Sequence, residues 1–204
     1  MRTIMVAILL MALQGCVMPV IGDADRTAPA DDLPPRTVQP LLFRAADGTV
    51  CNAVRTGPDT AATAAHCLDA ARPFTLTGSG RSEPILSTRA NPAYGRLDAA
   101  MGAAADLAVL QVPFDGAGRV VIAPIRPGPV VISARGPGGQ RETRRCDYLG
   151  RAGGLVELAC PIPLGWSGAP VIQDGALVGI VSSRGRGATR GITQMADAAR
   201  IDSF

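Results

Sequence analysis

Lysine is missing from this chain: all 20 basic residues are arginine, and 17 acidic residues leave a formal net charge of only +3. So small an excess gives no electrostatic footprint for nucleic acid, and none is expected as a partner. Aromatic residues make up 3% of the sequence, so Val, Ile, Leu and Ala must fill the core. Histidine occurs once, at His66, and no Cys-x-x-Cys spacing exists. A zinc centre therefore lacks a ligand set, and no metal or other cofactor is expected. Long helices are excluded too, because the 24 glycines and 17 prolines make up a fifth of the chain. Breakers at that density belong to short strands joined by turns. The 204 residues are enough for one ordinary domain or two small packed halves.

No run is long enough to cross a bilayer. The apolar stretch Ile4 to Leu13, preceded by Arg2, has the length of a signal-peptide core. It leads into Leu13-Gln14-Gly15-Cys16, which resembles a bacterial lipoprotein processing site except at Gln14. Residues 1–16 are thus expected to be a signal with Cys16 as the lipidated terminus, giving possible membrane attachment. Ordinary cleavage later, after Gly22, is the alternative and would discard Cys16. Residues 17–37 are rich in Asp, Ala, Pro and Thr and read as a flexible linker. Either route leaves Cys51, Cys67, Cys146 and Cys160, an even number that in an exported chain reads as two disulfides. Three pairings are possible, and Cys51–Cys67 with Cys146–Cys160 joins near neighbours.

From Val38 onward, short apolar runs alternate with turn signals such as Asp47-Gly48 and Asp174-Gly175. Strands are expected at 41–43, 49–55, 60–64, 74–77, 84–88 and 107–112. After a turn at 115–118 they resume at 120–122, 130–134, 143–149, 155–160, 169–172, 176–182 and 191–195. Residues 196–201 could form a short helix. The pattern is all-β, with about six strands on each side of residue 116. It predicts two packed six-stranded antiparallel barrels within a domain at 38–204, divided as 38–116 and 117–204.

Three stretches carry chemistry. Gly165-Trp166-Ser167-Gly168-Ala169-Pro170 sets a serine among glycines in a turn, which leaves its hydroxyl uncovered and nearby N–H groups free. Ser133, Ser182 and Ser183 are rivals by type but lack the glycines. Thr63-Ala64-Ala65-His66-Cys67 holds the lone imidazole, a group able to take and return a proton near neutral pH. Asp106 opens the apolar run Leu107-Ala108-Val109-Leu110, where a carboxylate needs a partner, and an imidazole N–H is one. Asp98 and Asp115 are the alternatives for that role. The gaps of 40 and 61 residues place His66 and Asp106 in one half and Ser167 in the other.

These stretches resemble the chymotrypsin/trypsin-like serine protease family, in particular its compact bacterial branch that includes glutamyl endopeptidases. The likeness runs over about residues 40–195. It implies a serine endopeptidase of the bacterial envelope, with His66, Asp106 and Ser167 catalytic and the N–H groups of Gly165 and Ser167 as oxyanion hole. It further implies that Gly179-Ile180-Val181-Ser182 pairs with an extended protein or peptide substrate, with Ser182, Ser183 and Arg184 at the binding edge. A periplasmic or otherwise secreted monomer is expected.

The chain departs from this family at two places. Trp166 stands where digestive members carry an aspartate that binds a newly freed N-terminus, so no activation of that kind is expected. Ala169 replaces a glycine. A bulky Trp166 beside Ala169 could deform the oxyanion hole, which leaves open a catalytically inactive binding module on the same fold. Esterase activity on non-peptide substrates is a third reading. Arg184, Arg186 and Arg190 could favour an acidic side chain, or be solvated surface arginines.

Overall fold

The computed structural model describes residues 38–78, 80–95, 104–115, 118–185 and 187–203. The signal, Cys16, the linker, Asp98 and Arg186 lie outside the described residues.

Strands in the first half are short because the turn residues cut them so. They are β1 (Pro40–Ala45), β2 (Val50–Arg55), β3 (Thr60–Thr63), β4 (Phe74–Gly78), β5 (Arg81–Pro84), β6 (Ser87–Ala90) and β7 (Ala108–Gln111). They form one antiparallel sheet in the order β5-β4-β1-β2-β3-β7-β6. The second half contains β8 (Pro129–Arg135), β9 (Arg141–Ala152), β10 (Leu155–Ala159), β11 (Pro170–Gln173), β12 (Ala176–Arg184) and β13 (Ile192–Asp197). These close into a six-stranded barrel, β10-β13-β12-β11-β8-β9. The molecule is thus the all-β double-barrel architecture that the strand pattern implies.

Two strand expectations are corrected. The run 84–88 divides into the ends of β5 and β6, because Ile85 and Leu86 leave the strand-to-strand ladder there. Their N–H groups donate instead to Phe74 and Gln111 carbonyls, which bridges the two sheet edges. Residues 120–122 form no strand, only an isolated bridge between Ile122 and Leu177. Among the described residues, seven strands therefore precede residue 116 and six follow. The tail forms a 3-10 helix, Ala198–Ser203, two residues later than expected.

Turn chemistry behaves as the sequence dictates. At Asp174-Gly175 both residues have positive φ, 49° and 77°, which is the hairpin turn matching the twist of β11 and β12. Asp47 accepts from the N–H groups of Thr49 and Ala71, fixing the β1–β2 turn against the loop after the histidine segment.

Three apolar clusters make the core. One lies inside the first sheet, around Phe43, Leu76, Leu110 and Val112. Another fills the closed barrel, around Ile132, Leu158, Val171, Val181 and Met195. The third joins the halves: Val38, Val54, Ala62 and Leu107 pack on Ile172, Leu177, Ile180 and Ile201. This shared apolar layer sets the halves in contact, and the site lies along their seam.

Both disulfides pair near neighbours. Cys51–Cys67 ties β2 to a 3-10 turn, Ala65–Asp69, and Cys146–Cys160 ties β9 to the end of β10. Closing loops of this size contributes about 3 kcal/mol each through the unfolded chain. Replacing Cys146 and Cys160 together with alanine is therefore expected to lower unfolding free energy by about that amount. Urea denaturation followed by circular dichroism measures it.

Candidate active site

His66 sits in the 3-10 turn Ala65–Asp69, held at Cys67 by the disulfide to Cys51. Its Nδ1 lies 2.7 Å from Asp106 Oδ2, and its backbone N–H donates to Asp106 Oδ1 at 2.9 Å. The hydroxyl of Ser182 donates to Asp106 Oδ2 at 2.6 Å. A carboxylate offers only acceptors, so Nδ1 carries the proton and Nε2 keeps its lone pair. Asp106 is 3% exposed, and three donors satisfy it. The histidine ring remains about one-third exposed. Among the alternatives, Asp115 is exposed and pairs with Arg81.

Burial pushes the imidazole pKa down. The hydrogen bond and charge of Asp106, aided by the charge of Asp69, outweigh burial and hold it above the usual histidine value. Asp69 itself accepts from the Tyr94 hydroxyl at 2.8 Å, and burial together with that bond raises the phenol well above its ordinary range.

Ser167 belongs to a loop in which Gly165 and Gly168 both have positive φ, 86° and 80°. Gly168 has a second reason to be glycine. A Cβ there would lie 1.9 Å from the Asn52 carbonyl oxygen and 2.4 Å from Thr63 Oγ1. The loop backbone thus rests directly on β2 and β3. The Ser167 carbonyl accepts from Asn52 N–H at 2.6 Å, and Gly168 N–H donates to Val181 at 2.8 Å. The Trp166 carbonyl accepts from Ala169 N–H at 3.0 Å, turning the Ser167 N–H the opposite way. Among the described residues, the N–H groups of Gly165 and Ser167 have no hydrogen-bond partner.

These contacts form a ring. Ser167 is bonded to Asn52, whose neighbour Cys51 is bridged to Cys67 beside His66. His66 is bonded to Asp106, Asp106 to Ser182, and Ser182 adjoins Val181, which receives Gly168 next to Ser167. Cys51, His66 and Cys67 also place one potential metal-ligand atom each within 4.8 Å of one another, but both sulfurs belong to the disulfide.

Trp166 does not lie over the serine. Its ring is 3% exposed within the barrel core, beside Ile162, and Arg144 covers it at 5.9 Å. Ala169 is fully buried, with both its N–H and its carbonyl hydrogen bonded. The sequence-based concern that these two residues distort the loop has no counterpart in the packing. At the binding edge, β11 pairs with β12 through Ile180, whereas Ser183 and Arg184 pair only with β13. One backbone edge of that segment therefore has no strand partner among the described residues. Ser183 donates to Gln194, and Arg184 is exposed.

Sequence reasoning placed Ser182 at the substrate edge and missed its bond to the aspartate. It also missed Asn52, Thr63 and Asp69. A polar Asn52 between Cys51 and Ala53, in a strand apolar elsewhere up to its closing Arg55, was the available signal.

A family model described as "Trypsin-like peptidase domain" matches residues 48–180. No curated protein sequence matches. Among solved structures, an inactive serine-to-alanine mutant of Rv3671c from M. tuberculosis H37Rv is similar with a TM-score of 0.67 and 16% identity, covering 87% of this chain and 91% of that one. The thermostable serine protease AL20 from an extremophilic microorganism gives 0.64 and 15%, covering 83% and 93%. The scabies mite inactivated protease paralogue S-D1 gives 0.65 and 16%, covering 78% and 86%.

Because His66 is the only histidine, its titration can be followed directly by proton NMR. Its midpoint is expected above histidine's ordinary value of about 6.5. Asp69→Asn removes one of the charges that raise it and should lower the midpoint; a midpoint below the ordinary value in the unaltered protein would contradict the geometry.

Proposed function

The chain belongs to the trypsin-like peptidase family, and from that premise we propose that it is an active serine endopeptidase using His66, Asp106 and Ser167. What supports this reading is the ring of contacts, which anchors Ser167 and His66 on the adjacent residues Asn52 and Cys51.

In the acylation step Ser167 Oγ bonds to a substrate carbonyl carbon while its proton passes to His66 Nε2. Asp106 holds the ring in the tautomer that can accept that proton and stabilises the imidazolium formed. The N–H groups of Gly165 and Ser167 receive the oxyanion. His66 then gives the proton to the departing amine as the C–N bond breaks. Water repeats the sequence against the acyl-enzyme and returns the serine. An extended protein or peptide substrate adds to the unpaired edge at Ser183 and Arg184 by main-chain bonds. Since neutral His66 is the base, the rate rises with pH as the imidazole loses its proton, with a midpoint displaced upward by its raised pKa.

A non-catalytic binding module is the second reading, and the inactivated mite paralogue among similar structures gives it precedent on this fold. Two observations weigh against it here. Trp166 and Ala169 are absorbed by core packing, and the buried aspartate keeps its full set of donors. Because residue 166 is a buried tryptophan, the loop has no carboxylate there to await a freed N-terminus.

Two disulfides point to an oxidising compartment. Within it we place the domain at the bacterial envelope, on a tether of residues 17–37 ending at a lipidated Cys16.

A fluorophosphonate probe is expected to label the mature protein at Ser167 and to leave Ser167→Ala unlabelled. His66→Ala should slow peptide hydrolysis by on the order of 10³-fold or more. Extra residues at the mature N-terminus should not change the labelling rate. No labelling of the folded, unaltered protein would reject the catalytic reading. Separately, cells supplied with labelled palmitate are expected to modify the full chain but not Cys16→Ala, read on a denaturing gel.

A further inference from the structure

A substrate strand laid along the open edge of β12 continues a row of side chains that already crosses the barrel wall. Ser183 is the register partner of Gln194 in β13, and Gln194 is the partner of Glu157 in β10. Cross-strand partners share a face of the sheet. Here it is the outer face, because Met195 and Leu158, which follow Gln194 and Glu157 along their strands, are buried in the barrel core. The register of β12 shifts between Val181 and Ser183, which leaves Ser182 as the extra residue of a bulge. The bulge turns Ser182 to Asp106 while Ser183 joins the outer row.

That row is a hydrogen-bonded chain with one direction. Ser183 Oγ donates to Gln194 Oε1 at 2.9 Å, and Gln194 Nε2 donates to Glu157 Oε1 at 3.1 Å. A carboxylate only accepts, so Glu157 takes the NH2 end of the amide and leaves the oxygen end facing Ser183. A serine hydroxyl has one proton, and Gln194 holds it. Toward the side with no strand partner, Ser183 can therefore only accept. All three side chains are half-buried.

The backbone sets what meets that acceptor. Gly185 N–H donates to the Ile192 carbonyl, so Gly185 and, two residues before it, Ser183 turn their peptide groups toward β13. Arg184 turns its own to the open edge. An antiparallel substrate strand bonds to Arg184, and its next residue lies opposite Ser183 in the closer, non-hydrogen-bonded kind of pair, with Cα atoms about 4.5 Å apart. β12 runs outward from Ser182, beside Asp106, to Arg184, so this substrate residue precedes the scissile bond. Strand alternation sends the Arg184 side chain to the opposite face, where it addresses a different substrate residue. Glu157 stands three strand spacings, about 14 Å, from the substrate strand, well beyond the screening length of about 8 Å at physiological salt. Its charge is screened there; its effect is to fix the direction of the chain.

We propose that Ser183, oriented by Gln194 and Glu157, is a specificity-determining residue that selects a hydrogen-bond-donating side chain (amide, hydroxyl or cation) over a carboxylate at the substrate position opposite it. This deepens the endopeptidase reading and rests on it.

The test uses the mature protein and fluorogenic peptides that differ at one residue at a time among the four before the cleaved bond. At each position glutamine is compared with glutamate, and threonine with valine, pairs of equal shape that differ in the donor. At one position kcat/KM is expected to be higher by on the order of 10-fold for glutamine over glutamate, the worth of one hydrogen bond, and higher for threonine over valine. Ser183→Ala should bring both ratios at that position within about threefold of unity. Gln194→Leu should reverse the glutamine preference, since the freed Ser183 proton then turns to the substrate. Glu157→Gln should weaken it, since the Gln194 amide can then face either way. Every ratio is taken within one variant, so a general loss of activity cancels. If no position shows the preference, or if every position that shows it keeps it in Ser183→Ala, the proposal is overturned. If the unaltered protein does not label with fluorophosphonate, the catalytic reading falls, and fluorescence anisotropy of the same peptides decides the selection. Tighter binding of the glutamine peptide that is lost in Ser183→Ala supports it; equal binding, or none, overturns it.

Discussion

Two adjacent residues in β2, Cys51 and Asn52, carry the constraint on which the site depends. One is covalently joined to the histidine segment and the other hydrogen bonded to the serine loop. Because a strand fixes the spacing and opposite orientation of neighbouring side chains, the dipeptide acts as a rigid spacer between His66 and Ser167. The rest of the architecture keeps that spacer in place. Its strand is hydrogen bonded on both sides, by β1 and β3, and Val54, further along it, packs into the layer between the halves. The close approach of Gly168 to the Asn52 carbonyl shows how little slack remains.

The electrostatics follow from the same packing. Burying Asp106 without partners would be costly, and the Ser182 hydroxyl together with the backbone N–H and Nδ1 of His66 supplies the donors. Two of those donors come from the first half and one from the second. The charge that orients the imidazole is thus satisfied only when the halves are assembled. Ser182 adjoins Val181, the acceptor for Gly168, so β12 joins the carboxylate to the serine loop through neighbouring residues.

The residues whose chemistry is rare could be read from the chain alone. A single histidine, a serine between glycines and a carboxylate heading an apolar strand stand out against any background. Strand positions were legible wherever a turn of fixed chemistry bounded them, as at Asp47-Gly48 and Asp174-Gly175. They failed at 120–122, where Val120 and Ile122 pack on the joint core without strand pairing while Val121 is exposed, so the alternation mimics a strand. The supporting residues were opaque for a different reason. Asn52, Thr63 and Ser182 act through contacts between segments distant in sequence, and a polar residue in a strand looks the same whether it faces solvent or another loop. Trp166 misled in the reverse sense: its bulk beside Ser167 reads as an obstruction until the alternation of the loop sends its ring into the barrel.

That placement of Trp166 bears on how such a site stays formed. A serine loop must hold several peptide planes against their own freedom, and glycine at 165 and 168 makes that freedom large. A buried ring at 166 anchors the centre of the loop by apolar contact and under the Arg144 guanidinium, with no charge on residue 166 itself. Apolar anchoring fixes where the loop sits but does not choose which way a carbonyl points. That choice needs a directional partner, and at Gly165 the partner is the Asn52 amide. Position and direction are thus supplied by different residues, one from each half.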